Sequence, residues 1–143
     1  MINSETDVIQ SLQTSVIAAV AGSTKPTLPV KYLNVTDERV PVPPDDGSEW
    51  LELIWIPNNP PDQTWGDEKV YRGIFRMLLH WPNDGGGSYS ATALMESIKS
   101  YYRKDMLMGQ KLKLLNQPRL SSVGDPSTEL LLVVSLEYSS FSP

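Results

Sequence analysis

Hydrophobic and polar residues alternate with the period of a β-strand through residues 69–82. One alternate set, with Gly73 among it, is apolar: Tyr71, Phe75, Met77, Leu79 and Trp81. The other set mixes apolar with basic side chains: Val70, Arg72, Ile74, Arg76, Leu78 and His80. The second set is too apolar for simple solvent exposure and too charged for a second core. It therefore indicates a surface that meets another protein.

Hydrophobic residues recur at helical spacing in two other segments. They predict a first helix that starts near Ser4, which can cap it, and ends at Gly22, and a second that runs from Ser88 or Ser90 to about Lys104. Strands are predicted at residues 30–33, 49–56, 70–81, 111–115 and 129–138. Between them, extended loops are predicted at residues 34–48 and 57–68, with a flexible glycine turn at residues 83–87.

The order of these elements predicts the fold class. Consecutive strands at 49–56 and 70–81, and again at 111–115 and 129–138, favour antiparallel pairing. We expect an α+β domain, a single mostly antiparallel β-sheet with two α-helices packed on one face. The 143 residues fit one domain, and the chain has no cysteine for a disulfide or a thiolate site.

Charge is distributed unevenly along the chain. Residues 1–68 carry −8 and residues 69–143 carry +3, within a net charge of −5. The acidic total argues against a protein that grips the nucleic-acid backbone. The uneven charge permits contact between the acidic part of one copy and the basic part of the next, or acidic loops that simply flank a neutral sheet. No apolar run approaches a membrane span, and we expect a soluble protein with no membrane partner.

Candidate catalytic residues are few. His80 is the only histidine, and no nucleophile motif lies near it, so we interpret it as a surface or interface residue. Two acidic groups lie among prolines and polar residues, where we expect solvated turn acids: Asp45, Asp46 and Glu49, and Asp62, Asp67 and Glu68. The chain is predicted not to be an enzyme, with no cofactor and no metal.

A series of small motifs resembles a known family. Leu28-Pro29-Val30 leads into a proline-rich crossing, and a strand follows from Trp50 to Pro57. Tyr71-Arg72-Gly73 then opens the long strand that ends in Trp81-Pro82, before glycines and an amphipathic helix. From about residue 28 to residue 141, this arrangement resembles the tail terminator-like (tail completion) proteins of long-tailed phages.

The resemblance implies a structural virion protein, assembled in the host cytoplasm. Such a protein forms a ring, commonly a homohexamer, at the head-proximal end of the tail tube. The ring ends tube polymerisation and offers a docking surface for the head connector. Its partners would be its own copies, the tail tube protein and the connector protein, with DNA passing through without specific binding.

Three alternatives remain open at this point. The chain could be a head-completion or connector protein of the same particle, a small host-directed binding module, or a hydrolase that uses His80. For contacts between copies or with a partner, we predict the outward residues of the strands and one loop aromatic: Trp65, Val70, Arg72, Ile74, Arg76, Leu78, Leu131 and Val133.

Overall fold

The computed structural model describes residues 5–32, 48–58, 71–82, 88–108, 112–123 and 129–140. The elements in these ranges are α1 (Glu5–Ala21), β1 (Val30–Lys31), β2 (Trp50–Asn58), β3 (Arg72–Pro82), α2 (Ser88–Lys99), β4 (Leu107–Met108), β5 (Leu112–Leu114), β6 (Arg119–Val123) and β7 (Glu129–Ser140). Ser4, most of both predicted loops and the glycine turn lie outside the described residues. No helix in the described ranges is long and apolar enough to cross a membrane.

The seven strands form one mixed, curled sheet. The strand order is β1-β2-β3-β7-β5-β4, and β6 also pairs with β7. Only β1 and β2 run parallel among these strands, and the remaining pairs are antiparallel. The α+β class is therefore confirmed, as are the predicted antiparallel pairings of β2 with β3 and of β5 with β7. The parallel β1 makes the sheet mixed.

One hydrophobic cluster contains buried residues from both helices and from alternate positions of the strands. Helix α1 contributes Val8, Leu12, Val16, Ala19 and Val20, and α2 contributes Ala91, Leu94, Met95 and Ile98. The strands contribute, among others, Leu51, Leu53, Phe75, Met77, Leu79, Leu132, Val134, Leu136 and Tyr138. Successive strand side chains point to opposite faces, so each strand gives every second residue to the core. The apolar alternate set of residues 69–82 lies in or against this cluster.

Helix α2 ends earlier than its hydrophobic pattern predicts. After Lys99, the backbone N–H groups of Tyr101 and Tyr102 donate to the carbonyls three residues earlier, at 3.2 and 3.0 Å. Such bonds tighten the last turn and close the helix. Tyr102 remains buried, but Tyr101 is 37% exposed. The hydrophobic pattern of the second predicted helix includes both tyrosines, so the burial that this pattern predicts for Tyr101 is wrong.

Two strands, β4 and β6, are absent from the sequence prediction. β6 lies in a segment that its serines, prolines and glycine mark as a polar loop. Along the same edge of β7, Leu114 of β5 faces Tyr138, and Arg119 of β6 faces Ser135. From Leu114 to Arg119 the chain advances five residues, while β7 advances three residues from Tyr138 to Ser135. Two extra residues therefore bulge out between β5 and β6. An even number of extra residues keeps the alternation of faces in register.

Gly73 allows the close approach of a buried tyrosine. Gly73 is paired with Tyr138 across the β3–β7 ladder. A Cβ at Gly73 would lie 2.6 Å from the Tyr138 hydroxyl and 2.6 Å from the backbone carbonyl oxygen of Ile56. The indole N–H of Trp55 donates to the same hydroxyl at 2.6 Å. The glycine thus makes room for a hydrogen-bonded aromatic pair that joins β2 to β7 across β3.

Gly73→Ala is expected to lower the free energy of unfolding by about 1–3 kcal/mol, because the new methyl group clashes with backbone as well as with a side chain. Gly22→Ala is the matched control. A Cβ at Gly22 meets nothing closer than the Ala18 carbonyl at 3.7 Å. Urea denaturation of both variants measures the difference, and equal stability would show that the sheet relaxes around the new methyl.

Tyr102 should make the fold sensitive to alkaline pH. Burial raises the pKa of its phenol above the usual value of 10.0. The raised pKa stabilises the folded state below pH 10. Above pH 10, its contribution to the free energy of unfolding falls by about 1.4 kcal/mol for each further pH unit. We expect Tyr102→Phe to be less stable at pH 7, because Tyr102 and Ser15 share a 2.9 Å hydrogen bond, and to lose less stability above pH 10.

Thermal unfolding between pH 7 and pH 11 measures the slope of stability against pH. Tyr89→Phe is the control, since Tyr89 is 85% exposed, and its slope should match that of the unmodified protein. A Tyr102→Phe slope equal to the control would contradict the prediction.

Candidate interaction surface

A second set of strand residues alternates with the core residues, and we call it the outer face. Pairing between adjacent strands places residues of β2, β3 and β7 side by side in rows. The rows are Trp50–His80–Leu131, Glu52–Leu78–Val133, Ile54–Arg76–Ser135, Ile56–Ile74–Glu137 and Asn58–Arg72–Ser139. The outer face therefore combines apolar side chains with both arginines of β3.

Arg72 and Arg76 are exposed. Four residues of strand separate them by about 13 Å along β3. Within the described part of the chain, neither guanidinium forms an ion pair. Their neighbours on β7 are Ser139 and Ser135, which carry no charge. Both arginines are thus available to an acidic partner.

The apolar members of the outer face differ in exposure. Ile56 is 41% exposed, while Ile74 and Leu78 are partly buried. Val133 is only 8% exposed, and Leu131 is partly buried. The surface a partner would meet is therefore centred on β2 and β3 more than on β7.

His80 belongs to a local cluster with Trp50 and Glu52. The rings of His80 and Trp50 are stacked, with centroids 3.9 Å apart and planes 2° apart. The Nε2 atom of His80 lies 2.9 Å from Oε1 of Glu52. Since Trp50 is paired with His80 in the ladder, the stack is a cross-strand pair. The histidine therefore has a structural role, joining β2 to β3 on the outer face.

The structure brings together six of the predicted contact residues: Arg72, Ile74, Arg76, Leu78, Leu131 and Val133. Val70 and Trp65 lie outside the described residues. Among the described residues, no group of three or more His, Asp or Glu side chains is arranged to hold a metal ion.

Three exposed apolar residues at one end of the outer face are missing from the predicted set. They are Ile56, Leu107 and Leu115, with 41%, 52% and 36% exposure. In their predicted strands, alternation places the side chains of Ile56 and Leu115 on the outer side. That signal was present in the sequence and would have identified both as contact residues. Leu107 lies in β4, for which the sequence pattern gives no prediction, so its position depends on pairing with β5.

A solved protein structure has the same fold. It aligns with a TM-score of 0.74 over 98% of this chain and 98% of its own, at 20% sequence identity. Its name describes no function. At that identity the likeness concerns the fold alone. No protein-family model matches the chain, and no curated protein matches it.

Proposed function

We propose that this protein is a structural virion protein of a long-tailed phage, similar to the tail terminators. Copies assemble into a ring, commonly a hexamer, on the head-proximal end of the tail tube. The ring ends tube polymerisation and provides the docking surface for the head connector. The observation that carries this proposal is the outer face, where Arg72 and Arg76 lie beside the apolar Ile74 and Leu78.

The arrangement of the helices supports an exposed outer face. Buried residues of both helices share one cluster with the inward residues of the strands. We infer that both helices pack on that one face of the sheet. The outer face then remains for contacts with other copies, where its partly exposed apolar residues become buried.

A ring needs two unlike surfaces on each copy, so that the contact repeats around an axis. The chain carries −8 in residues 1–68 and +3 in residues 69–143. Contact between the basic outer face of one copy and an acidic surface of the next satisfies both the charge pattern and the symmetry. Acidic side chains that line the channel would keep DNA from binding as it passes, because like charges prevent counterion release.

The sequence motifs add the position in the particle. Tyr71-Arg72-Gly73 lies at the start of β3, and together with the sequence from Pro82 to Gly87 it is the strongest single piece of the resemblance to the tail terminator-like proteins. In the fold, Gly73 admits Tyr138, and Arg72 reaches the outer face. One part of the motif therefore serves the sheet, and the other serves the proposed contact.

Phage particles that lack this protein test its position. Electron microscopy should show overlong tails without heads, because nothing ends tube growth. Filled heads beside free tails of normal length would instead indicate a head-completion or connector protein. Normal particles would rule out both positions and leave the host-directed binding module and the hydrolase.

Arg72→Glu and Ile74→Asp should prevent ring assembly and leave the folded subunit intact. Each change places a negative charge in a contact that we expect to bind an acidic surface. Arg103→Glu and Ile17→Asp are matched controls, since Arg103 is exposed after α2 and Ile17 is 55% exposed on α1.

Analytical ultracentrifugation and negative-stain images, with purified tail tubes and without them, measure assembly, and circular dichroism checks folding. We expect the two β3 variants to be monomers and the controls to assemble. Rings of normal size from both well-folded β3 variants would show that the outer face is not the contact.

A further inference from the structure

Two adjoining cavities form a groove at the end of the sheet where β3 begins. One cavity, of about 520 Å³, is lined by Ile56, Arg72, Ile74, Leu115 and Glu137, among others. The second, of about 450 Å³, is lined by Asp105, Leu107, Lys113, Leu115 and Ser139. Leu115 belongs to both, so the two cavities meet at this side chain. We call them together the corner groove.

Strand pairing explains the shape of the corner groove. One row crosses five strands, because Arg72 pairs with Asn58 and Ser139, and Lys113 pairs with Ser139 and Leu107. At the usual spacing of neighbouring strands, this row is about 19 Å long. The groove therefore runs across the strands and has room for several side chains of a bound segment.

The floor of the corner groove is apolar. Ile56, Leu107 and Leu115 are the exposed large aliphatic residues of the described strands and their ends, and all three line the groove. Hydrophobic side chains scattered singly need no explanation, but a group of them in a concave site indicates a binding surface.

Among the described residues, cations outnumber acids around the corner groove. Four basic side chains lie in or beside it on the outer rows: Arg72, Arg76, Lys113 and Arg119. Two acids accompany them. Asp105 is paired with Lys113 at 3.3 Å, and Glu137 accepts a hydrogen bond from the Asn116 amide at 2.9 Å. The described side chains of this corner thus carry more positive than negative charge, although the chain as a whole carries −5.

We propose that the corner groove binds an acidic segment with apolar side chains on a second copy of this chain. Charge complementarity favours a second copy as the occupant, since the excess of cations at this corner leaves the rest of each copy more negative than the total of −5. Two grooves facing one another would bring their arginines together, so the contact joins unlike surfaces. The proposal rests on the proposed ring and extends its contact from β3 to β4 and β5.

Leu107→Asp and Leu115→Asp test the groove by sedimentation equilibrium of the full chain over a range of concentrations. Each should weaken self-association at least tenfold, because a carboxylate replaces an apolar contact beside an acidic partner. Ile17→Asp, with similar exposure on α1, should associate like the unmodified protein. Raising the NaCl concentration from 50 to 500 mM should also weaken association, because salt screens exposed charges.

We expect Leu107→Asp to fold normally, because Leu107 is 52% exposed and lies on a two-residue strand. Weaker association of this variant would therefore not be caused by misfolding. Association within twofold of the unmodified protein in both well-folded variants would overturn the groove proposal. A chain that stays monomeric at every concentration would also overturn it.

The same experiment separates the groove from the ring. If rings persist in both variants, the groove proposal is wrong and the proposed function is unaffected. Closed dimers of the unmodified protein in place of rings would contradict the ring and the groove contact together, because that contact joins unlike surfaces.

Discussion

The antiparallel ladder between β3 and β7 is the constraint on which the rest of the sheet depends. It runs from Arg72 opposite Ser139 to Pro82 opposite Glu129. β3 also pairs with β2, and the other edge of β7 pairs with β5 and β6. A slip of one residue in this ladder would move Phe75, Met77 and Leu79 out of the core and bring the arginines into it. The ladder therefore fixes the core and the outer face together.

The contact between Gly73 and Tyr138 links this ladder to the proposed binding surface. The missing side chain at Gly73 admits the tyrosine ring, whose hydroxyl accepts the indole N–H of Trp55. Gly73 and Tyr138 also line the larger cavity of the corner groove. Packing that stabilises three neighbouring strands thus also shapes the surface beside Arg72 and Ile74, so a change at Gly73 should alter both stability and assembly.

The described residues of the outer face fit the contact with a protein that we propose. His80 is stacked on Trp50 and bonded to Glu52, which accounts for its position without a substrate. Apolar side chains supply contact area, and the exposed arginines give preference for an acidic partner. Subunits that contact one another through unlike surfaces can close into a ring, and for that reason we favour a ring over a symmetric dimer.

Alternation of polar and apolar residues was enough to determine β2, β3, β7 and the sides on which Phe75 and Arg76 lie, because a strand with one buried face shows its period directly. The same signal placed Arg72, Ile74 and Leu78 on the outer face. The tertiary structure alone decided that β1 is parallel, that α2 ends at Lys99, and that β4 and β6 exist. Short strands with polar residues form because the free edges of longer strands need hydrogen-bond partners, and those partners are distant in sequence. The corner groove depends on these pairings, so local pattern could not reveal it.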